Sequence, residues 1–200
     1  MKIAKFAEKN EPVIPDLVGD LLRKKIPHQV RDDKVLVALA IIALFLSTPA
    51  SAQTHNVCLL LDRHPAWEQH LEDAHERWGI AKGAILAVMD QESRFRPTAR
   101  NGVNYGYAQS NPRTWNWFRR DAHMPNASRE DFGASAHFIG WHFKKMHARL
   151  GLAIDNVGAQ YLAYRMGEGG YRRAGASSSA QTRHIANRAA NFDSQLENCD

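Results

Sequence analysis

No run of five or six basic residues occurs in the 200-residue sequence, and no nucleic-acid-binding motif is present. Nucleic acid is therefore not an expected partner. There is no Gly-x-Ser-x-Gly elbow and no phosphate-binding loop, which removes the commonest serine-hydrolase and nucleotide-binding chemistries. No internal repeat is visible, so a repeat array is excluded. The apolar run at residues 35–46 has 12 members, whereas a membrane-spanning helix needs roughly 20. Histidines are plentiful, but His137, His142 and His147 are spaced by five. Each is turned about 140° from the last on a helix, so they do not converge on a metal. They read as solvated positions, and no metal or cofactor is expected. Cysteine is scarce: Cys58 and Cys199 are the only two.

What is present is ordinary in bulk. Hydrophobic residues make up 44% and charged residues 24%, the balance of a globular chain. The net charge of +5 suits an anionic partner such as a cell wall or nucleic acid and specifies neither. The apolar run follows Arg31 and Lys34 and precedes Ser47-Thr48-Pro49-Ala50-Ser51-Ala52. That arrangement reads as a secretory signal with cleavage after Ala52. Residues 1–52 are then an N-terminal extension and signal peptide, the extension being long for its type, and residues 53–200 the mature domain. Export would place Cys58 and Cys199 in an oxidising compartment, where a bridge would tie the ends of the mature chain together. The alternative is two unpaired thiols.

The mature region reads as mainly helical. Trp67, Leu71, Ala74, His75 and Trp78 recur at helical spacing before Gly79. A second helix runs from about residue 81 to 93. Residues 95–110 form a loop with a small hairpin, marked by Pro97 and Asn101-Gly102. A short helix opens at Pro112. Ser128-Arg129-Glu130-Asp131 opens a long helix that ends at Gly151. Asp155 caps a helix to about Met166, and the glycines at 167, 169 and 170 then make a loop. Residues 175–180 read as a flexible surface loop. A last helix carries Ile185, Ala189, Phe192 and Leu196.

Within the second helix, Ile85, Val88, Met89 and Glu92 share one face. A carboxylate at the end of an apolar stripe is either paired or kept partly neutral. A carboxyl raised toward neutrality can donate a proton. Glu92 is thus a candidate general acid. The competing reading is a salt bridge to Arg94, Arg96 or Arg100. Asp90 lies about 200° around the helix and cannot share a substrate with it. Residues 104–109 offer tyrosines, a glycine and Gln109, a plausible sugar-binding wall. Trp115 and Trp117 cannot face the same way, so at least one is exposed or at a cleft. Tyr164 precedes the glycines on the last turn of its helix.

Three motifs in order, Glu92-Ser93-Arg94-Phe95, Gly106-Tyr107-Ala108-Gln109 and Ala163-Tyr164, resemble those of the lytic transglycosylases with a soluble-transglycosylase, lysozyme-like domain. The resemblance covers about residues 80–196. Together with Phe138 to Trp141 and the Gly-Gly-Tyr after Tyr164, it is closest to the transglycosylase-like proteins that accompany type IV secretion or conjugation systems. It implies an α+β lysozyme-like fold, a saccharide cleft and a peptidoglycan substrate. It implies Glu92 as the single acid/base, with Ser93 orienting the helix end or touching substrate. Gln109 and the backbone around Gly106 and Tyr107 would hold the N-acetylated sugar. Tyr164 would sit beside Glu92 and position it, and Glu168 and Tyr171 would border the substrate. Arg165 departs from the asparagine usual after Ala-Tyr, and Ser110-Asn111 from the usual apolar residue after the glutamine.

The implied reaction cleaves the MurNAc–GlcNAc bond and closes a 1,6-anhydro ring. Two rivals remain. A hydrolysing muramidase would need a second carboxylate, with Asp121, Glu130, Asp131, Asp155 and Glu168 as candidates and Glu168 the best placed. A non-catalytic peptidoglycan-binding component of a secretion machine is the other.

Overall fold

The computed structural model describes residues 55–174 and 180–199. The leader and its cleavage site, and the 175–179 stretch read as a flexible loop, lie outside the described residues. Seven helices and one small hairpin are present among those described: α1 (Val57–Arg63), α2 (Ala66–Trp78), α3 (Lys82–Ser93), β1 (Arg100–Asn101), β2 (Asn104–Tyr105), α4 (Pro112–Asp121), α5 (Phe132–Leu150), α6 (Val157–Ala174) and α7 (Ala180–Leu196). The two strands pair antiparallel, Arg100 opposite Tyr105 and Asn101 opposite Asn104. The fold is helical with a short hairpin beside the domain's central helix, as the sequence implies. None of the described helices is long and apolar enough to cross a membrane.

α3 is that central helix. It packs mainly along α7, while α2 lies on α5, and α6 bridges α5 and α7. The four-position stripe read from sequence understates its burial. Every residue from Gly83 to Asp90 is buried, so the helix is enclosed all round rather than amphipathic. Close approach to α7 requires glycine at position 83. A Cβ there would stand 2.3 Å from the Ala189 carbonyl oxygen. The Gly83 N–H instead donates to the Asp193 carboxylate at 2.6 Å, which places an acid at the positive end of the helix dipole.

Asp90 is fully engaged on the α7 side. Its carboxylate meets Arg188 at 3.0 Å and His55 at 2.8 Å. It therefore points away from any cleft, in line with its position around the helix. The core beyond α3 is strongly aromatic: Trp67 stacks on Phe132, and Trp115, Phe118, Phe138 and Trp141 pack in series. Such pairs add about 0.5–1.5 kcal/mol each beyond their buried area. Trp115 is buried and Trp117 half-buried, so the pair does diverge.

Several boundaries differ from the sequence reading. α5 is capped by Asp131, whose carboxylate accepts from Ala134 N at 2.6 Å, not by Ser128. α6 is capped by Asn156, which accepts from Ala159 N at 3.1 Å, not by Asp155. The first helical segment of α6 does stop at Met166, as read, but no loop follows: Gly169 and Gly170 lie in a second helical segment. Only Gly167 leaves helical geometry (φ 66°, ψ 167°), and the helix resumes beyond it. Gly79 and Gly151 do terminate α2 and α5 in the left-handed conformation. α1 was not legible in the sequence at all. Cys58, on α1, is bonded to Cys199, just past α7, so the two ends of the described domain are joined.

Candidate active site

The last turn of α3 carries Glu92 out of the core. The chain then turns through two consecutive non-glycine residues with positive φ, Arg94 (52°) and Phe95 (55°). Left-handed backbone at non-glycine residues costs about 1–3 kcal/mol and persists only where neighbours hold it. Phe95 is anchored against Trp67 and Phe192. Ser93 is buried and donates to the Met89 carbonyl at 3.0 Å, while its own carbonyl accepts from Arg96 Nε at 3.0 Å. Ser93 thus fixes the helix end, the first of its two expected roles, and its hydroxyl faces protein.

Glu92 is half-buried and forms none of the ion pairs that the competing reading required. Its Oε1 accepts a hydrogen bond from the Tyr161 hydroxyl at 2.7 Å. Burial raises the carboxyl above its ordinary value of 4.5, and the hydrogen bond from Tyr161 and the positive charge of Arg165 oppose that rise only in part. Tyr161 is itself 2% exposed. Burial and the adjacent carboxylate hold its phenol far above the ordinary range, so it remains a donor at any physiological pH.

The tyrosine hydrogen-bonded to Glu92 is therefore Tyr161; Tyr164 lies near enough for the Glu92 charge to help raise its phenol but does not bond to it. Tyr164, one turn later on α6, gives its hydroxyl to the Ala108 carbonyl. It ties α6 to the loop that follows the hairpin. The signal for Tyr161 was available: residues 161 and 164 are three apart on one helix, hence neighbours on one face.

That loop is organised by Gly106 and Gln109. Gly106 has φ 81°, and a Cβ there would fall 2.0 Å from the Arg129 carbonyl oxygen. Its N–H donates to Ala99 O at 2.9 Å. The Gln109 amide nitrogen donates to Ala99 O at 2.7 Å and to Gly106 O at 2.9 Å. Both expected sugar contacts thus use these groups to build the loop itself. The Tyr107 side chain does not form part of an aromatic sugar-binding wall. It is 7% exposed and packs edge-on against Trp67 and Phe132, as core. The tyrosine left at the surface of the hairpin is Tyr105, flanked by Arg100 and Arg129.

Glu168 and Tyr171 lie elsewhere. Glu168 pairs with Arg149 at 2.8 Å and Arg172 at 3.0 Å, and those hydrogen bonds hold its carboxyl below the usual range. Tyr171 is buried beside Met146 and Ala163. Three of the other four carboxylates named for a hydrolase are also engaged. Asp121 binds Lys145 at 2.7 Å, Glu130 accepts from Tyr105, and Asp131 caps α5. The groups that set the ionisation of Glu92, among the described residues, are Tyr161 and Arg165. No carboxylate is among them.

His142 departs most from expectation. It is 7% exposed and beside Tyr164, and burial lowers its pKa to about 4. His137 accepts from the Trp78 indole at 3.1 Å. Only His147 is surface-exposed, and its ring nitrogen lies 2.7 Å from the Leu152 carbonyl. The three still radiate from α5 in different directions.

A helical domain with a short hairpin, and a carboxyl raised by burial at the end of its buried central helix, is consistent with a lysozyme-like domain. A family model described as "Transglycosylase SLT domain" matches residues 34–199. The chain belongs to that family, a membership that supports a glycan-cleaving enzyme acting on peptidoglycan. Comparison with curated proteins gives no match.

Proposed function

We propose that the protein is a lytic transglycosylase in which Glu92 is the single acid and base. The observation that carries this reading is the Glu92 environment: a carboxyl raised by burial, held by one phenol, with no carboxylate among the described residues acting on it. In the reaction, protonated Glu92 gives its proton to the glycosidic oxygen between MurNAc and GlcNAc. The C1–O bond breaks and its electron pair leaves with the GlcNAc oxygen. Positive charge develops at C1, assisted by the 2-acetamido group. Ionised Glu92 then takes the proton of the C6 hydroxyl, whose oxygen closes on C1. Water is neither consumed nor activated, so one carboxylate suffices.

Tyr161 keeps a donor on the carboxyl oxygen throughout and stabilises the ionised intermediate state. Digests of purified sacculi, read by mass spectrometry, are expected to contain muropeptide ends one water lighter than reducing ends. Reducing ends alone would establish the hydrolase instead. Digests with no cleavage and retained sacculus binding would establish the binding component.

Tyr161→Phe removes a hydrogen bond that favours the charged form of Glu92. The Glu92 pKa is therefore expected to rise further. The alkaline limb of the kcat/KM–pH profile, which reports the free enzyme's acid, moves to higher pH with it. A limb that moves to lower pH, or does not move, contradicts the assigned role.

The Cys58–Cys199 bond supports an exported, periplasmic protein, since such bonds persist in oxidising compartments. The motif resemblance supports local wall remodelling for an envelope-spanning secretion or conjugation machine. Fractionation by osmotic shock tests the first, and co-purification with an assembled envelope complex the second.

A further inference from the structure

At the C-terminal end of α4 lies a cavity of about 600 Å³, lined by Asn116, Arg119, Arg120, His123 and Pro125. It shares no residue with the smaller cavity that Gln109, Thr114 and Tyr164 line. Two guanidinium groups and an imidazole border one space, and no carboxylate is in the lining. None of the ion pairs among the described residues involves Arg119, Arg120 or His123. Asp121, the carboxylate nearest in sequence, is held by Lys145 at 2.7 Å and by the Trp141 indole at 2.8 Å, and His123 also acts on it electrostatically.

Basic residues in the last turn of a helix complement its dipole, which alone would make Arg119 and Arg120 ordinary surface charges. Three observations go beyond that. The terminal carbonyls of α4 are already used by backbone: Phe118 O accepts from Ala122 N at 2.8 Å, Arg119 O from Met124 N at 2.9 Å and Arg120 O from His123 N at 3.3 Å. The guanidinium groups are therefore not needed to cap them. Arg119 is tied down by donating from Nη2 to the Pro125 carbonyl, yet its Nε is buried without a partner. An unpaired buried donor costs about 1–3 kcal/mol. His123 stands in left-handed backbone, φ 54°, at a further cost of about 1–3 kcal/mol for a non-glycine residue. An unpaired donor and a strained residue on one wall mark a place where the chain is not optimised for its own stability.

We infer that this cavity binds the phosphate group of an organic ester, with Arg119, Arg120 and His123 as its donors. Guanidinium groups match phosphate through paired N–H donors. Arg119 is fixed in advance at one nitrogen, so less freedom is lost on binding. A phosphate oxygen at Arg119 supplies the acceptor that Nε lacks. His123 has a ring N–H to give in either protonation state, and Asn116 adds an amide donor. Small-molecule pockets run to about 300–1,000 Å³, so this one has room for the esterified group as well as the anion. The net charge of +5 draws anions toward the surface. The phosphate has two sources: a soluble phosphate ester, or the headgroup of an anionic phospholipid. The site stands apart from the proposed reaction. Arg120 lies six residues beyond Thr114 on α4, about 9 Å along the axis, and none of its lining residues acts on Glu92.

The test titrates isotopically labelled full-length protein with glycerol 3-phosphate. Separately, it is mixed with phosphatidylcholine vesicles, with and without phosphatidic acid, at one ionic strength. Saturable NMR shifts are expected at the Arg119 and Arg120 Nε–H and at the His123 ring, and none at the Glu92 carboxyl. Arg120→Gln removes one charge-assisted contact and is expected to weaken binding about tenfold. Arg120→Lys, which keeps the charge, is expected to restore part of it. His123→Asn tolerates the left-handed backbone and is expected to weaken binding less. Arg120 and His123 are exposed, so an unchanged melting temperature is expected to accompany the lost binding. Saturation by glycerol 3-phosphate without a preference among vesicles assigns the soluble ester. A preference for vesicles that contain phosphatidic acid assigns the headgroup. No saturable shift with either probe, or equal binding by wild type and Arg120→Gln, overturns the inference.

Discussion

Glu92→Gln is expected to lower the rate of sacculus lysis about 10³-fold, within the range by which a positioned general acid accelerates a reaction. The amide keeps the size and the hydrogen-bonding oxygen that Tyr161 addresses, but it has no acidic proton and cannot become a base. Both halves of the reaction fail together. A misfolded variant would show the same loss, so stability has to be measured alongside. The pKa of Glu92 is raised in the folded state. Its contribution to stability is therefore full below the unfolded-state pKa and is lost as pH rises through the folded value. Glu92→Gln carries no such penalty. It is expected to match the wild type in acid and to exceed it in melting temperature at neutral pH. Lost activity with gained stability is the signature of a site held against the preference of the fold. Lost activity with lost stability would make Glu92 a structural residue.

Removal of the Cys58–Cys199 bond is expected to be the largest single loss of stability. It closes a loop with a sequence separation of 141, for which chain-entropy reasoning gives about 5 kcal/mol and measured native bridges about 2–5 kcal/mol. For a domain of this size that is a fall of about 10 °C in Tm. The double substitution Cys58→Ser/Cys199→Ser, followed by thermal unfolding, reads it directly. The bond holds α1 against the end of α7, where the Val57 N–H also donates to the Gln195 side-chain oxygen at 2.7 Å. Neither cysteine is among the groups that act on Glu92, so lysis below the melting transition is expected to persist. An unchanged Tm would show that this hydrogen bond and the burial of Val57 and Leu61 already fix α1.

What the sequence made legible follows from how local each signal is. α2 and α4 have a glycine stop or a proline start within the segment, and apolar spacing set their bodies. α1 is seven residues long and nearly all apolar at its start, so it has no period to read. It is held by the cap at Asn56, the disulfide and the core. Gly167 was read as a stop because glycine usually is one. It does interrupt the helix, but a second helical segment follows at once where a loop was expected, and the Arg149–Glu168–Arg172 pairs secure its first turn.

At the site, Glu92 was legible because an acid on an apolar face breaks the pattern. Tyr107 and Gln109 were placed on the sugar because their chemistry suits one. The folded loop directs Tyr107 into the core and Gln109 onto its own backbone. Which of two tyrosines three residues apart meets Glu92 depends on the rotation of α6 against α3, and no local pattern encodes that rotation. His142 was read as solvated because α5 was taken to have an exposed face at that position; instead it is enclosed beside Tyr164.

The central claim is that burial raises the Glu92 carboxyl above its ordinary value, outweighing the phenol and the guanidinium beside it. Titration of the Glu92 side-chain carbon by NMR, in isotopically labelled protein without ligand, measures this directly. The account expects a midpoint clearly above 4.5, moving higher in Tyr161→Phe. A midpoint at or below 4.5 would mean that the carboxyl is ionised and paired before any sugar binds, and would contradict the assignment of Glu92 as the acid.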